Sequence, residues 1–167
     1  MIRAAEQELY NILEQLKIKY KRYEHKPVYT VEEADNLDID IPGQHCKNLF
    51  LRNKKGNIHY LVIADSQKQI DLKLLSKEIG SSGLSFASEE RLQKYLGLEA
   101  GSVSPFGLIN DTERKVIVLI DRKLTDKSIV NFHPNVNTAT ISVSYDDLEK
   151  FIRWHENKFI YIDWVNK

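Results

Sequence analysis

Residues 45–56 read HCKNLFLRNKKG, and three side chains capable of chemistry stand in a row before an apolar strand. Cys46 could act as a nucleophile with His45 as its base. Neighbours on a strand point to opposite faces, however, and a thiol there is more often small core filler. Lys47 has two readings. It is either a strand-entry charge snorkelling to water or an ammonium held at the mouth of a pocket.

Two further stretches carry candidate groups. GSVSPFGLIND, residues 101–111, is a loop of small residues punctuated by Gly101, Pro105 and Gly107. Such loops expose backbone N–H groups and allow a ligand to approach closely. It lacks the Gly-Lys-Ser or Gly-Lys-Thr ending of a nucleotide-triphosphate cradle. NFHPNVNTATI, residues 131–141, places His133 before Pro134, which forces an extended backbone. Asn131 and Asn135 are nearby as hydrogen-bond partners for the imidazole. The histidines and the one cysteine show neither paired-cysteine spacing nor a His-Glu-x-x-His helix, so no metal site is expected. No Gly-x-Ser-x-Gly elbow is present, which argues against a serine hydrolase.

The elements that must position these groups follow from periodicity. Leu9, Ile12, Leu13 and Leu16 recur at helical spacing over residues 3–17. KYKRYEH reads as a short strand, and TVEEADNL as a short helix with Thr30 as its cap. KNLFLRNKKGNIHYLVIAD reads as a hairpin around a Lys-Gly-Asn turn. DLKLLSKEIG and SEERLQKYLG are helices ended by Gly80 and Gly97, with LSFAS a brief strand between them. The stretch LEAGSVSPFGLIND is expected as loop. KVIVLID, SIVNFHP and TATISVS are strands, and Ser144 with Asp147 opens a last long helix. Strands and helices mix without strict alternation. The expected class is α+β: one domain over residues 1–167, a central mixed, largely antiparallel sheet, and surrounding helices.

Composition bounds the function. A chain of 167 residues that is 42% hydrophobic suits one domain with a real core. Its 24 basic and 24 acidic residues cancel, which argues against non-specific nucleic-acid binding but leaves room for a local patch. A single cysteine fits the reducing cytoplasm. The amphipathic, charged N-terminus is unlike a signal peptide, and no apolar run approaches membrane-spanning length.

Four segments in order, YEHKPVYTVEEA (23–34), HCKNLFLRNKKG (45–56), the stretch from Asp71 to Asp111, and NFHPNVNTATISVS (131–144), resemble the YbaK/ProX prolyl-tRNA editing superfamily. The resemblance covers most of the chain. The last segment is most similar to the alanine-specific ProX branch of free-standing deacylases. The resemblance implies an editing domain of the kind also inserted in bacterial prolyl-tRNA synthetases, hydrolysing the ester between a wrong amino acid and the terminal adenosine of tRNA(Pro). It matches the family lysine to Lys47, the Gly-x-x-x-Pro loop to Gly101 through Pro105, and the pocket histidine to His133. Lys47, Gly101 and His133 are thus implied as catalytic, and Asn48, Ser102, Val103, Ser104, Pro105 and Thr30 as substrate-binding. No cofactor and no metal are implied. The implied partner is the acceptor end of mischarged tRNA(Pro), with transient association with prolyl-tRNA synthetase and no membrane.

An aminoacyl ester is already activated, so a site without a protein triad suffices if it holds the ester, admits water and stabilises the oxyanion. In this superfamily the ribose 2′-hydroxyl is thought to help activate the water. Selection is a matter of size. A proline pocket discriminates weakly against alanine, because missing methylenes cost roughly 1–3 kcal/mol, whereas a second, tighter pocket excludes proline by overlap. KIKYKRYEHK (17–26) and RNKKG (52–56) are the candidate basic surfaces for RNA. A non-catalytic binding module on the same fold and a hydrolase using Cys46 are the competing readings.

Overall fold

The computed structural model describes residues 2–27, 33 and 40–163. The strands are β1 (Lys21–Glu24), β2 (Gln44–Arg52), β3 (His59–Asp65), β4 (Ser85–Phe86), β5 (Val116–Asp121), β6 (Ile129–Phe132), β7 (Ala139–Ser144) and β8 (Phe159–Ile162). The helices used below are α1 (Ala4–Gln15), α2 (Leu72–Ile79), α3 (Glu89–Leu96) and α4 (Tyr145–His155). The strands form one mixed sheet in the order β1-β7-β6-β2-β3-β5-β8, with β4 paired to β2 beside that path. The class is α+β, as the sequence indicates.

Local sequence explains the boundaries. The Asp71 carboxylate accepts the N–H groups of Lys73 and Leu74 at the start of α2, and Gly80 ends it at φ 67°. Ser144 Oγ accepts the Asp147 N–H at 3.0 Å, the expected cap of α4. The β2–β3 turn is organised by Asn53, whose Oδ1 accepts the N–H groups of Asn57 and Ile58. The turn is therefore wider than a Lys-Gly-Asn tripeptide.

β3 and β5 read as continuous apolar runs because both of their faces are covered. On one face, Leu61, Ile63, Val118 and Ile120 pack with residues of α1, α3 and α4 such as Leu13, Leu96 and Phe151. On the other, Leu51, Val62, Ala64, Leu119 and Ile162 pack beneath Leu75 of α2. Side-chain alternation along each strand thus assigns the residues that strands carry to one of these two faces.

Two parts of the chain depart from expectation. Residues 100–110 are not plain loop: Ala100–Ser102 and Pro105–Asn110 are 3₁₀ turns. Ser104 Oγ caps the second by accepting the Phe106 N–H, with Pro105 in its first turn, where a missing N–H costs nothing. The sequence reading also passed over β8, a four-residue edge strand pairing in parallel with β5. Its FIYI is too short to show a decisive period. The helix expected at TVEEADNL lies outside the described residues except for Glu33, which is helical.

Candidate functional site

Lys47 sits near the start of β2, with its Cα opposite that of Ala64 in β3. Cys46 and Phe50 belong to the larger core, and Leu49 and Leu51 to the smaller one under α2. The β2–β3 register runs unbroken from Cys46 to Arg52. Lys47 therefore shares the Leu49–Leu51 face. It is half-buried, and burial pushes its ammonium below the usual lysine range, with the Asp65 carboxylate partly opposing that shift.

His133 follows β6 directly. β2 and β6 run parallel, with Gln44 opposite Val130 and His45 opposite Asn131. Alternation from these pairs puts Lys47 and His133 on the same face of the sheet, each two residues past the last paired positions of β2 and β6. His133 Nδ1 lies 3.0 Å from the carbonyl oxygen of Ala139. A carbonyl only accepts, so Nδ1 carries the proton and Nε2 keeps a free lone pair. Burial holds the imidazole below the usual histidine range. The Ala139 hydrogen bond opposes this and the neighbouring His25 adds to it.

His25 and Thr140 complete this wall and were not singled out as site residues from the sequence. The His25 and His133 ring centroids are 6.0 Å apart, and His25 Nε2 lies 2.8 Å from Thr140 Oγ1. The signal was available in principle, since His25 lies in a matched segment and Thr140 alternates with the core residues Ile141 and Ala139. Neither asparagine serves His133 as expected. Asn131 Nδ2 donates to the Pro42 carbonyl and its Oδ1 accepts from Ser142, while Asn135 Nδ2 donates to the Phe106 carbonyl.

The Gly101–Pro105 segment approaches from the other side of the sheet. Val103 packs against the larger core, as do Cys46 and Ala87, and Ser102, Ser104 and Pro105 are buried. The second 3₁₀ turn is clamped onto α3. A Cβ on Gly107 would fall 2.6 Å from Leu98 Cδ1, and Asn110 Nδ2 donates to the Leu96 carbonyl at 2.8 Å. Asn48 points to this same side, and its buried Oδ1 has no donor among the described residues. Lys47 and His133 thus share one face of the sheet. Asn48, Ser102, Ser104 and Pro105 lie on the other, and the two groups can meet only across the edge of β2 that β6 and β4 flank. Thr30 lies outside the described residues.

That edge is interrupted. β6 covers β2 at Gln44 and His45, and β4 covers it at Leu51 and Arg52, with the Ala87 N–H donating to the Phe50 carbonyl. Ser66 N–H donates to the His45 carbonyl, so odd-numbered residues of β2 turn their backbone groups toward β3 and even-numbered ones away. Asn48 accordingly directs both its N–H and its C=O into the interval between β6 and β4. Neither group has a hydrogen-bond partner among the described residues.

Cys46 is poorly disposed for nucleophilic work. Burial pushes its thiol well above the usual range, and its Sγ lies 3.5 Å from the Gln44 carbonyl. Of the basic stretches, the hairpin's Arg52 is occupied with the carbonyls of Asn53 and Lys54, and Arg22 is paired with Glu6 and Glu24. Lys21 and Tyr23, opposite Ser142 and Thr140 of β7, share the face of Thr140 and His133.

Comparison with known proteins places the chain in a family. Residues 25–151 match the family model described as the aminoacyl-tRNA editing domain. The chain is 53% identical over 147 residues to the prolyl-tRNA editing protein ProX of Acetoanaerobium sticklandii, covering 88% of this chain and 90% of that one. It is 35% identical over 147 residues to the prolyl-tRNA synthetase associated domain-containing protein 1 of Danio rerio, covering 87% and 79%. A solved structure titled as a candidate trans-editing enzyme for prolyl tRNA synthetase superposes with a TM-score of 0.73 at 18% identity, over 99% of this chain and all of that one. That last likeness speaks to fold alone. The chain belongs to the aminoacyl-tRNA editing domain family. Among the described residues, no helix is long and apolar enough to cross a membrane.

Proposed function

We propose that this protein is a trans-editing deacylase that hydrolyses Ala-tRNA(Pro) and spares Pro-tRNA(Pro), working in the cytoplasm as one domain without metal or cofactor. The observation that carries the reading is that a half-buried Lys47 and a His133 imidazole held below its usual range share one face of the sheet, in a chain of the editing family.

In the reaction, a water oxygen adds to the ester carbonyl carbon. The bond from that carbon to the ribose oxygen then breaks, and the ribose oxygen leaves with the proton released by the water. Free alanine and uncharged tRNA result. Lys47 stabilises the negative charge that develops on the carbonyl oxygen, in a site dry enough for that charge to matter. His133, with Nε2 unprotonated, accepts a hydrogen bond from the substrate and shapes the amino-acid pocket. The neighbouring ribose hydroxyl assists the water. The Gly101–Pro105 segment closes the pocket from behind, with Ser102, Val103, Ser104 and Pro105 as its wall and Asn48 and Thr30 as further contacts. Proline is excluded by its ring. Lys21 and Tyr23, on the same face as His133, offer a cation and a ring to the single-stranded acceptor end. Contact with prolyl-tRNA synthetase is transient.

Incubating the purified protein with tRNA(Pro) charged separately with alanine, serine, glycine and proline tests the proposal. Alanine should be released and proline retained. Saturable binding without release of any amino acid would make the protein a binding module instead.

A further inference from the structure

We propose that the aminoacyl group docks on the uncovered edge of β2 as a one-residue strand, exchanging two hydrogen bonds with the backbone of Asn48. The α-amino group would donate to the Asn48 carbonyl, and the ester carbonyl would accept from the Asn48 N–H. This rests on the deacylase reading and adds to it the way in which an amino acid, as distinct from any other acyl group, is recognised.

The inference comes from where pairing stops. Buried or half-buried backbone groups inside a strand are nearly always paired. On this edge β6 serves residues 44 and 45, and β4 with Ala87 serves residues 50 to 52. Asn48 lies between them and is half-buried, with its N–H and C=O both directed outward and neither one bonded among the described residues. The uncovered stretch from Cys46 to Phe50 spans about 13 Å at the usual strand rise. One residue flanked by its attachments fits there, and a full strand does not. An antiparallel hydrogen-bonded pair exchanges an N–H and a C=O between two facing residues. An aminoacyl ester carries an amine and a carbonyl on one carbon and can make both halves of that exchange.

The position also suits the chemistry. A carbonyl held by the Asn48 N–H sits one residue from the Lys47 ammonium, which stands on the flanking face. The oxyanion would then have two donors of different kinds, and neither needs to move as charge develops. The Asn48 carbonyl fixes the amine on the other side, so the small side chain alone is left to be measured by the pocket.

The test removes one atom. Incorporating the α-hydroxy analogue of asparagine at position 48 turns its amide into an ester and deletes the N–H, leaving the side chain in place. That N–H makes no bond among the described residues, but the ester weakens the Lys47 carbonyl as an acceptor toward β3, so the melting temperature should fall only slightly. The same replacement at Leu49, whose N–H faces β3, deletes a ladder hydrogen bond and should lower it further. The position-48 ester should reduce kcat on Ala-tRNA(Pro) by about 10²–10³-fold. Independently, titrating ¹⁵N-labelled wild-type protein with 3′-alanylamino-3′-deoxyadenosine, whose amide resists hydrolysis, should move the Asn48 amide resonance downfield and slow its hydrogen exchange. A kcat within twofold of wild type overturns the proposal, as does an analogue that binds through other amides while Asn48 is unaffected. A protein inert toward Ala-tRNA(Pro) that still shows the Asn48 shift would instead count against the deacylase reading alone.

Discussion

His133 donates its Nδ1–H to the carbonyl of Ala139 across 3.0 Å, and this one bond decides what the imidazole can offer a substrate. With Nδ1 committed to the β7 backbone, Nε2 is an acceptor while the ring is neutral, and burial favours the neutral ring. The folded pKa lies below the ordinary 6.5, so the acceptor should survive to lower pH than a free histidine would allow. The acid limb of kcat/KM on Ala-tRNA(Pro) should fall below pH 6.5, and His133→Ala should lower kcat/KM about 10–100-fold, the scale of a hydrogen bond to a charged group. A rate profile across pH 5–8 for both proteins checks this.

Lys47 titrates in the opposite sense to its usefulness. The ammonium is the working form, and burial pushes its pKa below 10.5. The alkaline limb of activity should therefore lie below pH 10.5. Asp65 raises the lysine's pKa, so Asp65→Asn should move that limb to still lower pH. Because the folded state disfavours the charge, its penalty on stability applies below the folded pKa and disappears above 10.5. Lys47→Met should accordingly melt no lower than wild type at pH 7, as calorimetry would show.

His59 gives the fold a pH dependence unrelated to the site. Its Nε2 accepts from Arg91 at 3.0 Å, and its ring lies 4.2 Å from that of Tyr95. Burial and then the charges of Arg91, Arg52 and Lys94 push it down to about 4. Unfolded chains bind a proton at this residue from about pH 6.5 downward, whereas the folded one does so only near pH 4. Stability should fall as pH drops through that window, by at most about 1.4 kcal/mol per pH unit. Urea midpoints measured from pH 4 to 7 should show the slope, and His59→Gln should flatten it.

Cys46 separates the deacylase reading from a thiol mechanism. Its sulfur is kept protonated by burial, so it should resist alkylation by iodoacetamide in the folded state, and Cys46→Ala should keep kcat/KM within about twofold. A large loss in this variant, with the melting temperature unchanged, would restore the thiol mechanism.

The helices were legible wherever caps and period agreed, as at Asp71–Gly80 and Ser144–Asp147, because both signals are local. The hairpin was legible for the same reason. β8 was not, since a four-residue parallel edge strand owes its existence to β5 rather than to its own pattern. For the site, sequence order suggested Lys47, His133 and the Gly101–Pro105 segment, but their relation across two faces of the sheet depends on register and could not be read from spacing. The wall formed by His25 and Thr140 joins residues more than a hundred positions apart. The backbone at Asn48, without a partner among the described residues, is a property of where β4 and β6 end, which no side chain announces.

The most direct measurement is single-turnover release of radiolabelled alanine from Ala-tRNA(Pro) by wild-type protein and by Lys47→Met, with Pro-tRNA(Pro) alongside. Rapid release by the wild type, a loss of about 10²–10³-fold in the variant and no release of proline are expected. Equal release by the two proteins would contradict a role for Lys47, and equal hydrolysis of both aminoacyl-tRNAs would contradict a pocket that excludes proline.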